Sequence, residues 1–210
     1  ACVAFVDDQI GRVLKALEAS PYAGNTVVVL WSDHGYHLGE KDIVAKMTVW
    51  EESTRVPLII AGPGLARGAV CRRPVGLIDL YPTLLDLAGL PQNRMNDGRS
   101  LVPLLRDAEA HWPWPALTFW GQGNTAVRSE DYRYVRYEDG SEELYDHRSD
   151  PHEWHNLAME EESWRIKSAL RHFIPDHQEP LSPVSGLTWN AYWTEKTEAA
   201  KEGGNGKTGP

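Results

Sequence analysis

Apolar residues recur at three- and four-residue spacing along the first seventeen positions, which predicts an amphipathic helix. The apolar stripe consists of Val3, Val6, Ile10, Val13, Leu14 and Leu17. Asp7 and Asp8 lie off this stripe, so we expect them to be surface carboxylates. The next apolar segment, residues 26–30, is continuous and rich in valine. It predicts a strand buried on both faces of a mainly parallel sheet.

The remaining sequence shows two patterns. A second apolar strand at residues 56–61 and a helix between Asp79 and Gly89 continue an α/β layer up to about residue 110. Short strands then follow at residues 116–120, 126–128, 132–137 and 143–145, with the turn signal Asp139-Gly140 between the last two. Helical spacing returns at Ile166, Ala169, Leu170 and Phe173. We predict an α/β layer over residues 1–110, a smaller antiparallel sheet with a packed helix over 111–175, and an extended or mobile tail over 176–210.

Composition narrows the function classes. The chain has 210 residues, 41% of them hydrophobic, and a formal net charge of −9. This length supports a sizeable core, and no apolar stretch is long enough to span a membrane. The acidic balance disfavours non-specific binding to nucleic acid. The two cysteines neither require nor exclude a disulfide.

A polar run follows the first predicted strand directly. Asp33 offers a carboxylate oxygen and neutral His34 a ring nitrogen, whereas Lys41 and Lys46 offer compact positive charges for an anionic substrate. Ligands of open α/β sheets bind beyond the carboxyl ends of the strands. An aspartate after a strand can also simply cap the next turn, so the Asp-His dipeptide alone leaves both interpretations open.

The extended run resembles a segment of the type I sulfatases, notably the iduronate-2-sulfatase and choline-sulfatase branch. In that family Asp-His-Gly, Leu-Gly-Glu and a lysine recur in the order found between Asp33 and Lys46. Residues 4–14, 54–60, 79–89 and 143–146 resemble the same family. The resemblance implies an α/β fold: part of an alkaline-phosphatase-like mixed sheet with flanking helices, plus a small C-terminal antiparallel sheet with a packed helix.

The resemblance also implies roles for individual residues. Asp33 and His34 would be ligands of one Ca²⁺ ion, Lys46 would bind the sulfate ester, and His34 and Lys46 would take part in catalysis. Because Ca²⁺ prefers oxygen ligands, His34 could alternatively donate a hydrogen bond to a metal-bound oxygen.

Three further residues are expected on the substrate side. Lys41 offers a second cation, His37 could face the cleft, and Asn124 lies in a polar loop between two predicted strands. The alternatives are that His37 is an ordinary loop histidine and that Asn124 only shapes a β-turn.

One family motif has no counterpart here. These sulfatases carry Cys-x-Pro-Ser-Arg, whose cysteine is oxidised to formylglycine, but Cys2 is followed by Val-Ala and Cys71 by Arg-Arg-Pro. Asp7 and Asp8 are predicted to lie on a helix, not after a strand, so they do not match the family's other metal carboxylates. We therefore expect a C-terminal fragment whose missing partner is the N-terminal part of the same enzyme, with the nucleophile and the other ligands.

Three functions remain open at this point. The favoured one is hydrolysis of sulfate esters, on a sulfated carbohydrate or a small sulfate ester, by an enzyme of which this chain is a part that is inactive alone. The second is a phosphodiesterase or phosphonate monoester hydrolase of the same superfamily, since a metal ion and a lysine also serve phosphoryl transfer. The third is a non-catalytic binding module.

Overall fold

The structure, a computed structural model, describes residues 1–178. Its helices are α1 (Cys2–Glu18), α2 (Glu51–Thr54), α3 (Leu80–Leu87), α4 (Val102–Arg106) and α5 (Ser163–Arg171). Its strands are β1 (Val28–Trp31), β2 (Leu58–Ala61), β3 (Ala116–Phe119), β4 (Thr125–Arg128), β5 (Tyr132–Arg136) and β6 (Glu142–Asp146). Short 3₁₀ turns lie at Ala23–Asn25, Glu40–Asp42 and Leu77–Asp79. Most of the predicted tail, residues 179–210, lies outside the described residues.

Helix α1 forms where the apolar spacing predicts it, and Asp7 and Asp8 are exposed on it. None of its residues is buried by the described part of the chain; Val3 and Val13 are largely open to solvent. Among the described helices, none combines the length and hydropathy needed to cross a bilayer.

Strands β1 and β2 form a two-stranded antiparallel sheet, in which Val29 lies opposite Ile60. The sequence pattern predicted a strand buried on both faces of a mainly parallel sheet, and this prediction is wrong for the pairing described here. Trp31 and Ile59 are about half exposed. The two strands are connected by residues 32–57, which include α2.

Strands β3 to β6 form an antiparallel sheet in sequence order, as the turn signals predicted. The last hairpin closes where the Tyr137 amide donates to the Ser141 carbonyl, and Gly140 adopts the positive φ of 85° that this turn requires. Helix α5 packs across the sheet. The core between them is formed by Val127, Tyr134, Leu144, Ala158 and Leu170, with Ile166 and Phe173 against it.

Candidate active site

Asp33 and His34 lie just beyond β1, which ends at Trp31, so both have left the strand as predicted. The Asp33 side chain is 82% exposed and that of His34 is 36% exposed. The Asp33 Oδ2 and His34 Nε2 atoms are 3.5 Å apart. A carboxylate oxygen and an imidazole nitrogen therefore meet at an accessible strand end.

The backbone fixes which nitrogen of His34 is free to bind a cation. Its Nδ1 lies 2.7 Å from the carbonyl oxygen of Gly35. Because a carbonyl can only accept, Nδ1 carries the proton in this contact, and the Nε2 of the neutral ring keeps its lone pair. In metal-binding histidines, the ring nitrogen that does not bind the metal usually donates a hydrogen bond in this way.

The Lys46 side chain lies beside the His34 ring. Its ammonium nitrogen is 2.7 Å from His34 Nε2 and donates to the lone pair of that atom. The Lys46 ammonium thus stands where a cation bound to His34 would lie. Lys46 is exposed, so its long side chain can turn toward an anion without disturbing a packed core.

The two donor atoms of Asp33 and His34 could supply part of the ligand set of one divalent ion. The Asp33 Oδ2 and His34 Nε2 atoms, 3.5 Å apart, are an oxygen and a nitrogen donor close enough to contact one ion. One carboxylate and one imidazole supply two donors, which is fewer than such an ion takes. Further donors are therefore needed to complete the site.

Gly35 is required by close packing at this site. Its amide donates to the Ser53 carbonyl oxygen at 2.8 Å. A Cβ atom on Gly35 would overlap the Glu52 carbonyl oxygen and lie 3.0 Å from that of Arg55. The backbone next to His34 can therefore approach α2 only because residue 35 has no side chain.

The Lys41 ammonium lies in a cage of aromatic rings. Its ammonium nitrogen is 4.7 Å from the Trp50 ring centroid and 4.8 Å from that of Tyr145, and it donates to the carbonyl oxygen of Glu153. Its backbone adopts a positive φ of 55°. These contacts occupy the ammonium group, so the expectation that Lys41 binds substrate is corrected. Lys41 instead joins the loop of residues 32–50 to β6.

His37 is fully buried and does not face a cleft. Its Nε2 lies 2.8 Å from the Thr48 hydroxyl, and its amide donates to the Ala45 carbonyl. A substrate cannot reach this ring without displacing the loop. The expectation of an accessible substrate-side histidine is therefore corrected: His37 holds together the loop that carries Lys46.

Asn124 lies in the turn between β3 and β4. Its side-chain oxygen accepts from the Glu138 amide at 3.2 Å, and its carbonyl accepts from the Trp120 amide at 3.0 Å. Both bonds stabilise the turn. They support the alternative in which Asn124 shapes the loop.

A buried ion-pair network lies behind the loop and was missed from the sequence. Arg133 on β5 is 1% exposed, and its guanidinium pairs with both Glu51 and Glu153. His147 Nε2 is 2.8 Å from Glu153. Glu51, His147 and Glu153 could by distance surround a metal ion, but the guanidinium already bonds to both carboxylates. Arg128 also pairs with Glu51 at 3.3 Å, so two guanidinium groups balance the two carboxylates.

The network lowers the pKa of both carboxyl groups. Burial alone would raise the pKa of Glu51, but the charges of Arg133 and Arg128 outweigh it, and the pKa lies below its ordinary value. Burial alone would also raise the pKa of Glu153. The hydrogen bond from His147 and the charge of Arg133 outweigh this effect, and the pKa lies below its ordinary value. Both groups are therefore ionised in the folded protein near neutral pH.

Comparison with known proteins identifies the family. The Sulfatase family matches residues 1–90. A sulfatase of Formosa agariphila is 45% identical over 199 residues, which cover 93% of this chain and 39% of that protein. The chain thus spans about two fifths of the length of this relative.

Solved structures of similar fold include sulfatases and a related hydrolase. A 2-O GAG sulfatase has a TM-score of 0.68 at 30% identity, covering 94% of this chain and 42% of that one. A phosphonate monoester hydrolase of Agrobacterium radiobacter has a TM-score of 0.68 at 28% identity, covering 81% and 38%. The fold is that of the alkaline-phosphatase-like enzymes. The chain belongs to the sulfatase family, as the run from Asp33 to Lys46 predicted.

Replacing Gly35 by alanine tests the close packing beside His34. We expect Gly35→Ala to lower the free energy of unfolding by about 1–3 kcal/mol, because the added Cβ forces the backbone away from α2. Gly24→Ala is the matched control, since a Cβ there meets no atom within 4 Å. Urea denaturation measures both changes, and equal values for the two variants would contradict this account.

The ion-pair network predicts a loss of stability in acid. A carboxyl group whose folded pKa is depressed stabilises the fold above its unfolded pKa and loses this contribution as the pH falls. The ordinary value for Glu51 and Glu153 is 4.5. We expect the free energy of unfolding to fall as the pH drops below this value, and to fall less steeply in Glu51→Gln.

The control is Glu160→Gln, which makes the same change of charge at an exposed position. Urea denaturation from pH 7 to pH 3 gives the slopes. A Glu51→Gln slope identical to those of the wild type and Glu160→Gln would contradict the assignment.

Proposed function

We propose that this chain forms the Asp33–His34–Lys46 part of a sulfatase active site and that the enzyme containing it hydrolyses sulfate esters. The observation that carries the proposal is the convergence of the Asp33 carboxylate and the Lys46 ammonium on His34 Nε2 at the end of β1. Membership of the sulfatase family supports it. The substrate class proposed is a sulfated carbohydrate or a small sulfate ester.

The residues take distinct roles in this proposal. Asp33 and the Nε2 atom of His34 hold a divalent ion, Ca²⁺ by family resemblance, and the ion supplies Lewis-acid chemistry to the ester oxygens. The Gly35 carbonyl keeps the His34 lone pair directed toward the ion. With a cation at His34, the Lys46 ammonium is repelled from Nε2 and is free to bind the anionic ester.

The reaction replaces one bond to sulfur by another. The ester S–O bond breaks, an oxygen that derives from water forms the new bond to sulfur, and the alcohol and a hydrogen sulfate ion leave. Lys46 neutralises charge on the sulfuryl oxygens where it develops. The nucleophile, a formylglycine by family resemblance, and further metal ligands belong to a part of the enzyme outside this sequence. We propose that the chain is inactive without them.

Asn124 keeps a secondary place in the proposal, as a loop residue near bound substrate, and Lys41 and His37 hold the loop. A second candidate function is phosphonate monoester or phosphodiester hydrolysis, which the similarity to the phosphonate monoester hydrolase favours. The kcat/KM values of the enzyme that contains this chain, for 4-nitrophenyl sulfate and for phenylphosphonate esters, separate the two. A higher value for the phosphonate supports the second candidate, and turnover of neither supports a non-catalytic binding module.

Substitution of the two charged residues tests the site. In the enzyme containing this chain, we expect Asp33→Ala and Lys46→Ala each to lower kcat/KM for a sulfate ester by about two to three orders of magnitude. Asp33→Ala removes a ligand of the ion, and Lys46→Ala removes the cation that neutralises charge on the sulfuryl oxygens. Both side chains are exposed, so the fold and its unfolding temperature should change little.

Asp8→Ala and Lys15→Ala are matched controls, since both residues are exposed on α1. Steady-state kinetics and thermal unfolding measure the effects. Near-normal kcat/KM in both site variants would contradict the site assignment.

A further inference from the structure

Arg133 connects the four-stranded sheet to the segment that follows Lys46. Its Nη1 donates to the Val49 carbonyl at 2.9 Å, and its Nη2 donates to the Glu51 carboxylate and to the Thr54 hydroxyl. Its Nε donates to Glu153 at 2.5 Å. One buried guanidinium thus holds both ends of residues 49–54.

Helix α2 has only four residues, and a helix of this length is not stable alone. Its first amide, that of Glu51, donates to Glu153 Oε2 at 2.9 Å. The position of α2 therefore depends on tertiary contacts, and the charged ones come from Arg133, Arg128 and Glu153.

The same helix holds the backbone of the candidate active site. The Ser53 carbonyl accepts from the amide of Gly35, the residue after His34. The Ser53 hydroxyl donates to the carbonyl of Lys46 itself. A shift of α2 would therefore move the backbone at both His34 and Lys46.

We propose that Arg133 is a positioning residue: through α2 it sets the relative placement of His34 and Lys46. The proposal rests on the proposed function for its catalytic consequence. Lysine cannot replace Arg133, because its single ammonium cannot reach Glu153, Val49 and Thr54 in the geometry of the guanidinium fork.

The test uses the enzyme that contains this chain, with Arg133→Lys and the milder Glu51→Gln. We expect kcat for a sulfate ester to fall about tenfold to a hundredfold in Arg133→Lys, because a misplacement of about 1 Å costs rates of this order. KM should change less than kcat. Glu51→Gln retains the shape and loses one charge, so a smaller fall is expected.

Lys167→Met is the matched control. Lys167 pairs with Glu142 and donates to the Ala158 carbonyl within the four-stranded sheet and its packed helix. This variant loses a partly buried ion pair without contacting α2. We expect it to lower the unfolding temperature while kcat stays near the wild-type value.

Amide hydrogen exchange provides a readout independent of turnover. Exchange at Gly35 and Thr48, whose amides donate to Ser53, should accelerate in Arg133→Lys and Glu51→Gln. Exchange at Val127 and Tyr134 in the core should accelerate less than exchange at Gly35 and Thr48. Lys167→Met should leave Gly35 and Thr48 unchanged.

Unchanged exchange at Gly35 and Thr48 in both network variants would overturn the proposal, as would an equal loss of kcat in Lys167→Met. Should the wild-type enzyme hydrolyse no sulfate ester, the proposed function fails, while the exchange comparison still decides whether Arg133 positions the loop.

Discussion

The buried guanidinium of Arg133, paired with Glu51 and Glu153, is the interaction on which the arrangement of the loop depends. Removing these three charged groups from water is costly, and their attraction compensates only because every group finds hydrogen-bond partners. Arg133 bonds to two carboxylates, a carbonyl and a hydroxyl. An apolar contact could supply similar burial but would allow α2 to slide. The directional bonds of the fork fix α2 in one position, and the backbone at Gly35 and Lys46 follows it.

Local signals were enough to predict several parts of the fold. The helix over α1, the end of β1 before Asp33 and the four-stranded antiparallel sheet follow from apolar spacing and turn residues that act within a few positions. The Asp139-Gly140 hairpin is the clearest case, because a positive φ at Gly140 is a property of that residue alone. The sulfatase family was predicted from the resemblance of the run between Asp33 and Lys46 to that family.

Long-range features escaped prediction. Arg133 and Glu51 are 82 positions apart, and neither shows a periodicity that marks it as buried; charged residues are ordinarily expected at the surface. Burial of His37 depends on Thr48, and the cage around Lys41 depends on Tyr145, which is 104 positions away. The antiparallel pairing of β2 with β1 joins two segments that are separated by residues 32–57. Each outcome is decided by contacts between segments that the sequence pattern treats separately.

The proposed site of Asp33, His34 and Lys46 suits an enzyme fold that serves sulfatases and phosphonate hydrolases alike. A divalent ion and an ammonium recognise a tetrahedral oxyanion by charge, and sulfuryl and phosphoryl groups both present one. Fold and shared site therefore do not select the substrate. Selection between sulfate and phosphonate esters must come from groups that contact the organic part of the ester or that change the net charge of the site. In the proposed site, Asp33 and His34 hold the ion, and Lys46 contacts only the oxyanion. Under this proposal, other groups would recognise the alcohol part of the substrate.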